Sequence, residues 1–291
     1  MKLSQIILTV FIAGLIGFVS AQYFTPSNSG EVTIQKESVY ERVINSGKIR
    51  CGYFTWPPFL VKDPNTGVVS GLSAEYVEKL GDIIGVDIEW SAEIGVGDYI
   101  AALNADRIDM MCMTLWPDGG RLTQSLLSKP IFYSGVYAIT RIDDNRFDSG
   151  FDAINKEDIN VSVIDGDITQ TIAEKKFSNA KQLEHPQLAD LSYHFQALES
   201  GKADVMFQDI GSFEDYDKTN PGKLKLLKDL GPVHIFPETF GIKKGELEFK
   251  LLIDNAIDVM TGENFVYDAL KTSNSSSYPS ITPYDLQTET R

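Results

Sequence analysis

Cysteine is nearly absent from this chain of 291 residues. The two present, Cys51 and Cys112, exclude a disulfide-rich scaffold and a thiolate zinc cluster. Histidine is almost as scarce. His185, His194 and His234 fall in no metal-ligand spacing, and neither HExxH nor HxE occurs, so no metal and no cofactor are expected. Positive charge is in deficit as well: 26 Lys plus Arg stand against 41 Asp plus Glu, a formal net charge of -15. So acidic a chain repels phosphate backbones, which excludes nucleic acid as an expected partner. Low-complexity tracts are missing from most of the length. With 43% hydrophobic and 23% charged residues, wholesale disorder and collagen-like order are excluded, and the chain is long enough to bury a sizeable core.

Long apolar runs are equally few. The one that stands out, Ile6 to Val19, follows Lys2 and is short for a bilayer span. It ends in Val19-Ser20-Ala21, small residues of the kind signal peptidase requires. Residues 1–21 therefore read as an export signal cleaved after Ala21, and the mature protein as periplasmic or otherwise extracytoplasmic. An uncleaved membrane anchor is the alternative. No cysteine follows the run, so no lipoprotein attachment is expected. Export places Cys51 and Cys112 where a disulfide is permitted, with two buried free thiols as the equal alternative. Residues 22–39 are polar, with Pro, Gly and Ser, and read as a linker. Residues 272–291 are Ser-rich without periodicity and read as a flexible tail.

Between these ends, short apolar runs alternate with helical patterns, which predicts βαβ units and a mainly parallel sheet. Strands are expected over Ile49–Phe54, Asp87–Trp90, Ile108–Thr114, Val161–Ile164 and Ala203–Gln208. Helices are expected after Ser73, with Tyr76, Val77, Leu80, Ile83 and Ile84 on one face, and after Asp98 through Leu103. Further helical patterns carry Ile172, Ala173 and Phe177, span His194–Leu198, and run from Phe249 to Met260, with a shorter turn over Asn264–Leu270. The series restarts after Ala138. Ala105-Asp106-Arg107-Ile108-Asp109 is echoed by Ser200-Gly201-Lys202-Ala203-Asp204, each leading from a short helix into a buried strand, and the echo suggests two lobes of similar architecture.

Ligands of open α/β sheets bind beyond the carboxyl ends of strands, near helix N-termini. Four segments occupy such places. Tyr53 and Trp56 sit in an aromatic loop stiffened by Pro57 and Pro58; they offer flat faces to a ligand or plug the end of the sheet. In the turn after the buried strand, Thr114 offers a hydroxyl, Trp116 a face and Arg121 a bidentate grip on a carboxylate, against the alternative of a surface ion pair. Gly166 precedes a helix start whose N–H groups suit an anion, and Thr169 adds a hydroxyl; N-capping by Asp165 or Asp167 is the alternative. Asp209 ends the strand DVMFQ and suits an ammonium group or, again, a helix cap. Together the four segments supply an anion site, a cation site and aromatic walls, which suits a zwitterion.

The order and spacing of these segments resemble the family 3 extracellular solute-binding proteins, the polar amino-acid-binding components of ABC transporters. The likeness covers about Val39 to Lys271. VINSGKIRCGYFTWPPF is similar to the family's opening, GVVSGLSAEYVEKLGDIIGVDIEW to its first helix and strand, IAALNADRIDMMCMTLWPDGGRLTQSLLSKPIFYSG to its central stretch, and ADVMFQD to the strand of its second lobe. The resemblance implies two α/β lobes, each a mainly parallel sheet flanked by helices, joined by two crossover strands and closing like a flytrap. Lobe one would be 40–139 plus 236–271, and lobe two 140–235. It implies that Arg121 holds a ligand α-carboxylate and that Asp209 and Thr114 hold its α-ammonium. Trp56 would cover the ligand side chain, and Thr169, or its neighbour Ile168, would lie at the second-lobe carboxylate turn. It implies an amino-acid ligand, a membrane permease as partner, a monomer, and no catalytic residue. Departures from the family pattern, among them Gly71-Leu72-Ser73 and Trp116-Pro117-Asp118-Gly119-Gly120, lean toward a neutral or apolar side chain. Periplasmic cyclohexadienyl dehydratases, which use a pocket carboxylate as general acid, share this likeness and give an enzyme as the alternative. A ligand-sensing module is the third reading.

Overall fold

The computed structural model describes residues 37–263 and 265. The expected leader, most of the linker, most of the turn over Asn264–Leu270 and the tail lie outside them. The first helix among the described residues, α1 (Val39–Ser46), begins where the polar segment ends. Ser38 accepts the backbone N–H of Glu41, and the Glu41 carboxylate reaches back to the Ser38 N–H, a reciprocal capping box. Gly47, left-handed at φ 65°, closes the helix.

Strand β1 (Lys48–Tyr53) follows at once, then the small antiparallel pair β2 (Val61–Lys62) and β3 (Val69–Ser70). Next come α2 (Leu72–Ile84), β4 (Asp87–Glu93), α3 (Tyr99–Asn104) and β5 (Met110–Leu115). β1 pairs in parallel with both β4 and β5, as the βαβ pattern requires. β5 is buried at every position, consistent with its unbroken apolar run. The cap of α2 differs from expectation. It is Gly71, at φ 105°, while Ser73 lies buried inside the first turn. A Cβ at position 71 would come within 2.5 Å of the Phe59 carbonyl oxygen, so only glycine lets the chain turn into the helix there. Asp109 is fully buried ahead of β5; Arg42 and Arg50 both pair with it, Arg50 at 2.8 Å. Cys51 and Cys112 form a disulfide between β1 and β5, with Cα atoms 5.4 Å apart. The free-thiol alternative is set aside.

The chain continues through α4 (Gly119–Gln124), β6 (Ser125–Leu127) and the long strand β7 (Phe132–Arg141). The restart expected after Ala138 therefore falls inside β7. Beyond it lie β8 (Asn160–Ile164), α5 (Ile168–Lys176), β9 (Lys181–His185), α6 (Ser192–Glu199), β10 (Val205–Asp209), α7 (Ile210–Thr219) and β11 (Leu224–Leu226). The return is made by β12 (His234–Lys243), and α8 (Leu247–Gly262) follows. The strand order is β4-β1-β5-β12-β7-β10-β8-β9. β7 and β12 run antiparallel at the centre, with Ser134 opposite Phe236 and Phe132 opposite Glu238. β12 pairs onward with β5, and β7 with β10. These are the crossover strands of a two-lobed α/β fold: β4, β1 and β5 lie to one side, β10, β8 and β9 to the other. Among the described residues, no helix is long and apolar enough to cross a membrane.

Candidate functional site

The carboxyl ends of β1, β5 and β10 and the turn before α5 meet over the crossover strands, and a cleft of about 380 Å³, its open mouth included, lies between them. Its apolar wall comes from Phe54, Trp56 and Phe59 after β1, Val96 before α3, and Met113 and Leu115 of β5. Its polar groups are Thr114, Arg121, Asp167, Asp209 and Glu238, with Trp116 beside them.

Arg121 owes its place to a short helix. Asp118 caps α4 by accepting the Arg121 N–H at 2.7 Å. The side chain, only 6% exposed, turns back so that Nη1 donates to the Trp116 carbonyl at 2.6 Å. Nη2 is buried with no hydrogen-bond partner in the protein. Such a donor is costly unless something fills it, so one tooth of this fork is held and the other is left without an acceptor.

Asp209 caps α7. Its oxygens accept the Ser212 N–H and Ser212 hydroxyl, each at 2.8 Å, and the Trp56 indole also donates to it. Burial pushes its carboxyl up despite these donors. The cap expected as the alternative is thus real, and it coexists with a place in the cleft wall. The Trp116 indole N–H donates to Glu238 Oε1 at 2.5 Å and lies 3.0 Å from the Ser134 hydroxyl, while its ring stacks on Phe236 at 5.4 Å. Glu238 also accepts Ser134 Oγ at 2.5 Å and the Thr114 hydroxyl. Burial, helped by the nearby negative charge of Asp209, pushes its carboxyl up to about 7 against these donors.

Five of the eight residues singled out from sequence line this cleft: Arg121, Asp209, Thr114, Trp56 and Trp116. Tyr53, Gly166 and Thr169 do not. Strand alternation sends Tyr53 to the face opposite Phe54. There its ring meets Trp90 edge-on at 5.8 Å and its hydroxyl takes the Lys62 ammonium at 2.6 Å. Thr169 is buried with its N–H committed to Asp167, the cap of α5, and the Gly166 N–H is committed to Gln170. Asp167, between them, is the residue of that turn that reaches the cleft. Sequence reasoning missed Glu238. Its signal was one acidic residue inside the largely apolar run HIFPETFGI.

Direct contacts span the cleft on both flanks. The Gly97 N–H donates to Gln187 Oε1 at 2.9 Å. A Cβ added at Gly95 would come within 2.4 Å of that same oxygen, so the Gln187 amide sits against bare backbone. On the other flank, Ser212 Oγ donates to the Pro57 carbonyl at 3.0 Å.

The model of the bacterial extracellular solute-binding proteins, family 3, matches residues 49–270. The chain belongs to that family. A curated relative from Haemophilus influenzae, a probable amino-acid ABC transporter-binding protein, is 24% identical over 239 residues, covering 82% of this chain and 84% of the relative. Among solved structures, a cysteine-binding protein from Campylobacter jejuni superposes with a TM-score of 0.71 at 18% identity, covering 86% of this chain and 98% of that one. An ancestral amino acid-binding protein, a precursor of cyclohexadienyl dehydratase, gives 0.70 at 23% identity, covering 81% and 99%. At these identities the solved structures speak for the fold.

Proposed function

We propose that this protein captures a single amino acid in the cleft and delivers it to an ABC permease outside the cytoplasm, as a monomer. The half-satisfied Arg121 guanidinium carries the reading. It takes the ligand carboxylate, and Asp209, with Thr114, takes the ammonium. The apolar wall of Trp56, Phe59 and Met113 supports a neutral or apolar side chain. Lobes of 40–139 plus 236–271 and of 140–235 would move about β7 and β12, and the contacts of Gln187 and Ser212 would hold them shut. A ligand shifts such an equilibrium only by its preference for one state.

The test is a thermal-shift panel of amino acids, keto acids, dicarboxylates and polyamines. A ligand specific to the folded state adds about 2.7 kcal/mol at a hundredfold excess over its Kd. A shift with one group of amino acids is the expected result, and a panel in which no amino acid shifts the melting point overturns the reading. The closing contact has its own consequence. Gln187→Ala removes one hydrogen bond made only when the two sides touch, so affinity falls about three- to tenfold although Gln187 does not line the cleft. Titration showing wild-type affinity would remove Gln187 from closure.

One observation favours a second reading, a dehydratase-like enzyme. Glu238 is a buried carboxylic acid in the cleft with its carboxyl pushed up to about 7, the property wanted in a general acid at neutral pH. Turnover of prephenate or arogenate by the purified protein would establish it.

A further inference from the structure

Glu238 poses a problem that the zwitterion reading leaves open. It is 5% exposed, lines the cleft, and sits on a crossover strand. Its neighbours within hydrogen-bond reach are neutral: the hydroxyls of Ser134 and Thr114 and the indole of Trp116. The charged groups sharing the cleft from the other elements are Asp209 at the end of β10, Asp167 at the cap of α5, and Arg121 on α4. Arg121 commits one nitrogen to the Trp116 carbonyl, and no ion pair joins it to Glu238 among the described residues. The cleft thus carries three carboxylates against one guanidinium. A buried carboxylate without a counter-ion is unfavourable unless it is protonated or a cation arrives. Three donors converging on it hold it in place and favour its ionised form, which leaves a positive charge as the missing partner.

We propose that Glu238 is a second cation-binding carboxylate of this cleft, acting with Asp209 on protonated amine nitrogen of the ligand. Its hydrogen bond to Thr114 puts it beside the place assigned to the α-ammonium, so the amine is either that group or one at the end of the ligand side chain, the second replacing the neutral side chain proposed above. This inference rests on the amino-acid reading. The sign of the pH effect follows. With an empty cleft, Glu238 is protonated below about 7. A bound amine holds it ionised, so binding releases a proton to solvent. Affinity is fully present above about 7 and is lost as pH falls, by up to about tenfold per pH unit for one proton.

The experiment is calorimetric titration just below neutrality, in two buffers of different ionisation enthalpy, of wild type and Glu238→Gln. The probes are L-norvaline, L-ornithine and 2-hydroxyvalerate. They share one carbon chain but differ in carrying an α-amine, two amines or none. Glutamine keeps an acceptor oxygen for Trp116 and Ser134, lets the Thr114 hydroxyl turn to accept from its amide, and removes the charge. The expected result is proton release by wild type on binding an amine-bearing probe. In Glu238→Gln the release disappears and binding is about tenfold or more weaker. A loss confined to ornithine places the side-chain amine at Glu238; an equal loss for norvaline places the α-amine there. Binding of an amine probe without proton release by wild type overturns the inference and leaves the amino-acid reading standing, whatever the variant does. So does Glu238→Gln binding like wild type, which would make Glu238 only the support of Trp116. Hydroxyvalerate binding as tightly as norvaline and ornithine, with the same proton release, overturns it too. If no probe binds wild type and the amino-acid panel is also silent, both readings fall together.

Discussion

Replacing Arg121 with alanine removes about 2–5 kcal/mol of ligand binding, roughly thirty- to several-thousand-fold in Kd. The size follows from burial. The guanidinium is 6% exposed and already has one nitrogen on the Trp116 carbonyl. In the proposed complex its free Nη2 would meet the ligand carboxylate, which alanine would leave buried without a counter-charge. Alanine also frees the Trp116 carbonyl, so the wall beside the ligand loosens. Arg121→Lys is expected to recover only part of the loss, because an ammonium lacks the planar fork needed to hold the carbonyl and the carboxylate together. The opposite end of the ligand needs different treatment. Asp209 caps α7 through Ser212, so alanine there confounds a lost cap, worth about 0.5–2 kcal/mol, with lost binding. Asp209→Asn keeps a cap and removes the charge. Calorimetry with the best ligand of the panel, beside circular-dichroism melts, reads both sets. Wild-type affinity in Arg121→Ala would end the carboxylate assignment.

The parts of this molecule legible in its sequence are those written locally. The apolar run of β5 shows as a strand, and the segments after β5 and at the end of β10 declare themselves through Arg121 and Asp209. What stayed illegible depends on distant partners. The two crossover strands are long because each pairs with different neighbours along its length, and the restart expected after Ala138 fell inside β7 for want of that knowledge. Ser73 has the chemistry of a cap but Gly71 takes the position, because the Pro58 and Phe59 carbonyls leave no room for a side chain there. Tyr53 and Phe54 are both aromatic and adjacent, and only the pleat decides which faces the cleft. Glu238 fell in the 236–271 part expected in lobe one but was given no role, since nothing local shows that a residue so far along the chain returns beside Trp116 and Ser134.

Removing the disulfide costs the folded protein about 4 kcal/mol, the chain-entropy figure for a loop of this size, given that Cys51 and Cys112 are 61 residues apart. At roughly 2–4 °C per kcal/mol for a domain of this size, the melting temperature falls by about 8–16 °C. The bridge ties β1 to β5, and both strands deliver cleft walls: β1 runs into the Phe54–Phe59 loop, and β5 carries Thr114 two residues beyond Cys112. Neither cysteine lines the cleft, so the folded reduced protein retains ligand affinity near that of the oxidised form. Both cysteines are fully buried, and a reductant reaches them only when the sheet opens. Reduction during a denaturant titration therefore isolates the cross-link without the cavities that Cys51→Ala and Cys112→Ala would add. Loss confined to stability is the expected pattern. An unchanged melting temperature after verified reduction would show that the packing of β1 against β5 holds the lobe without the bridge. An equal loss of affinity would show instead that the bridge sets the spacing of the two strands that frame the ligand.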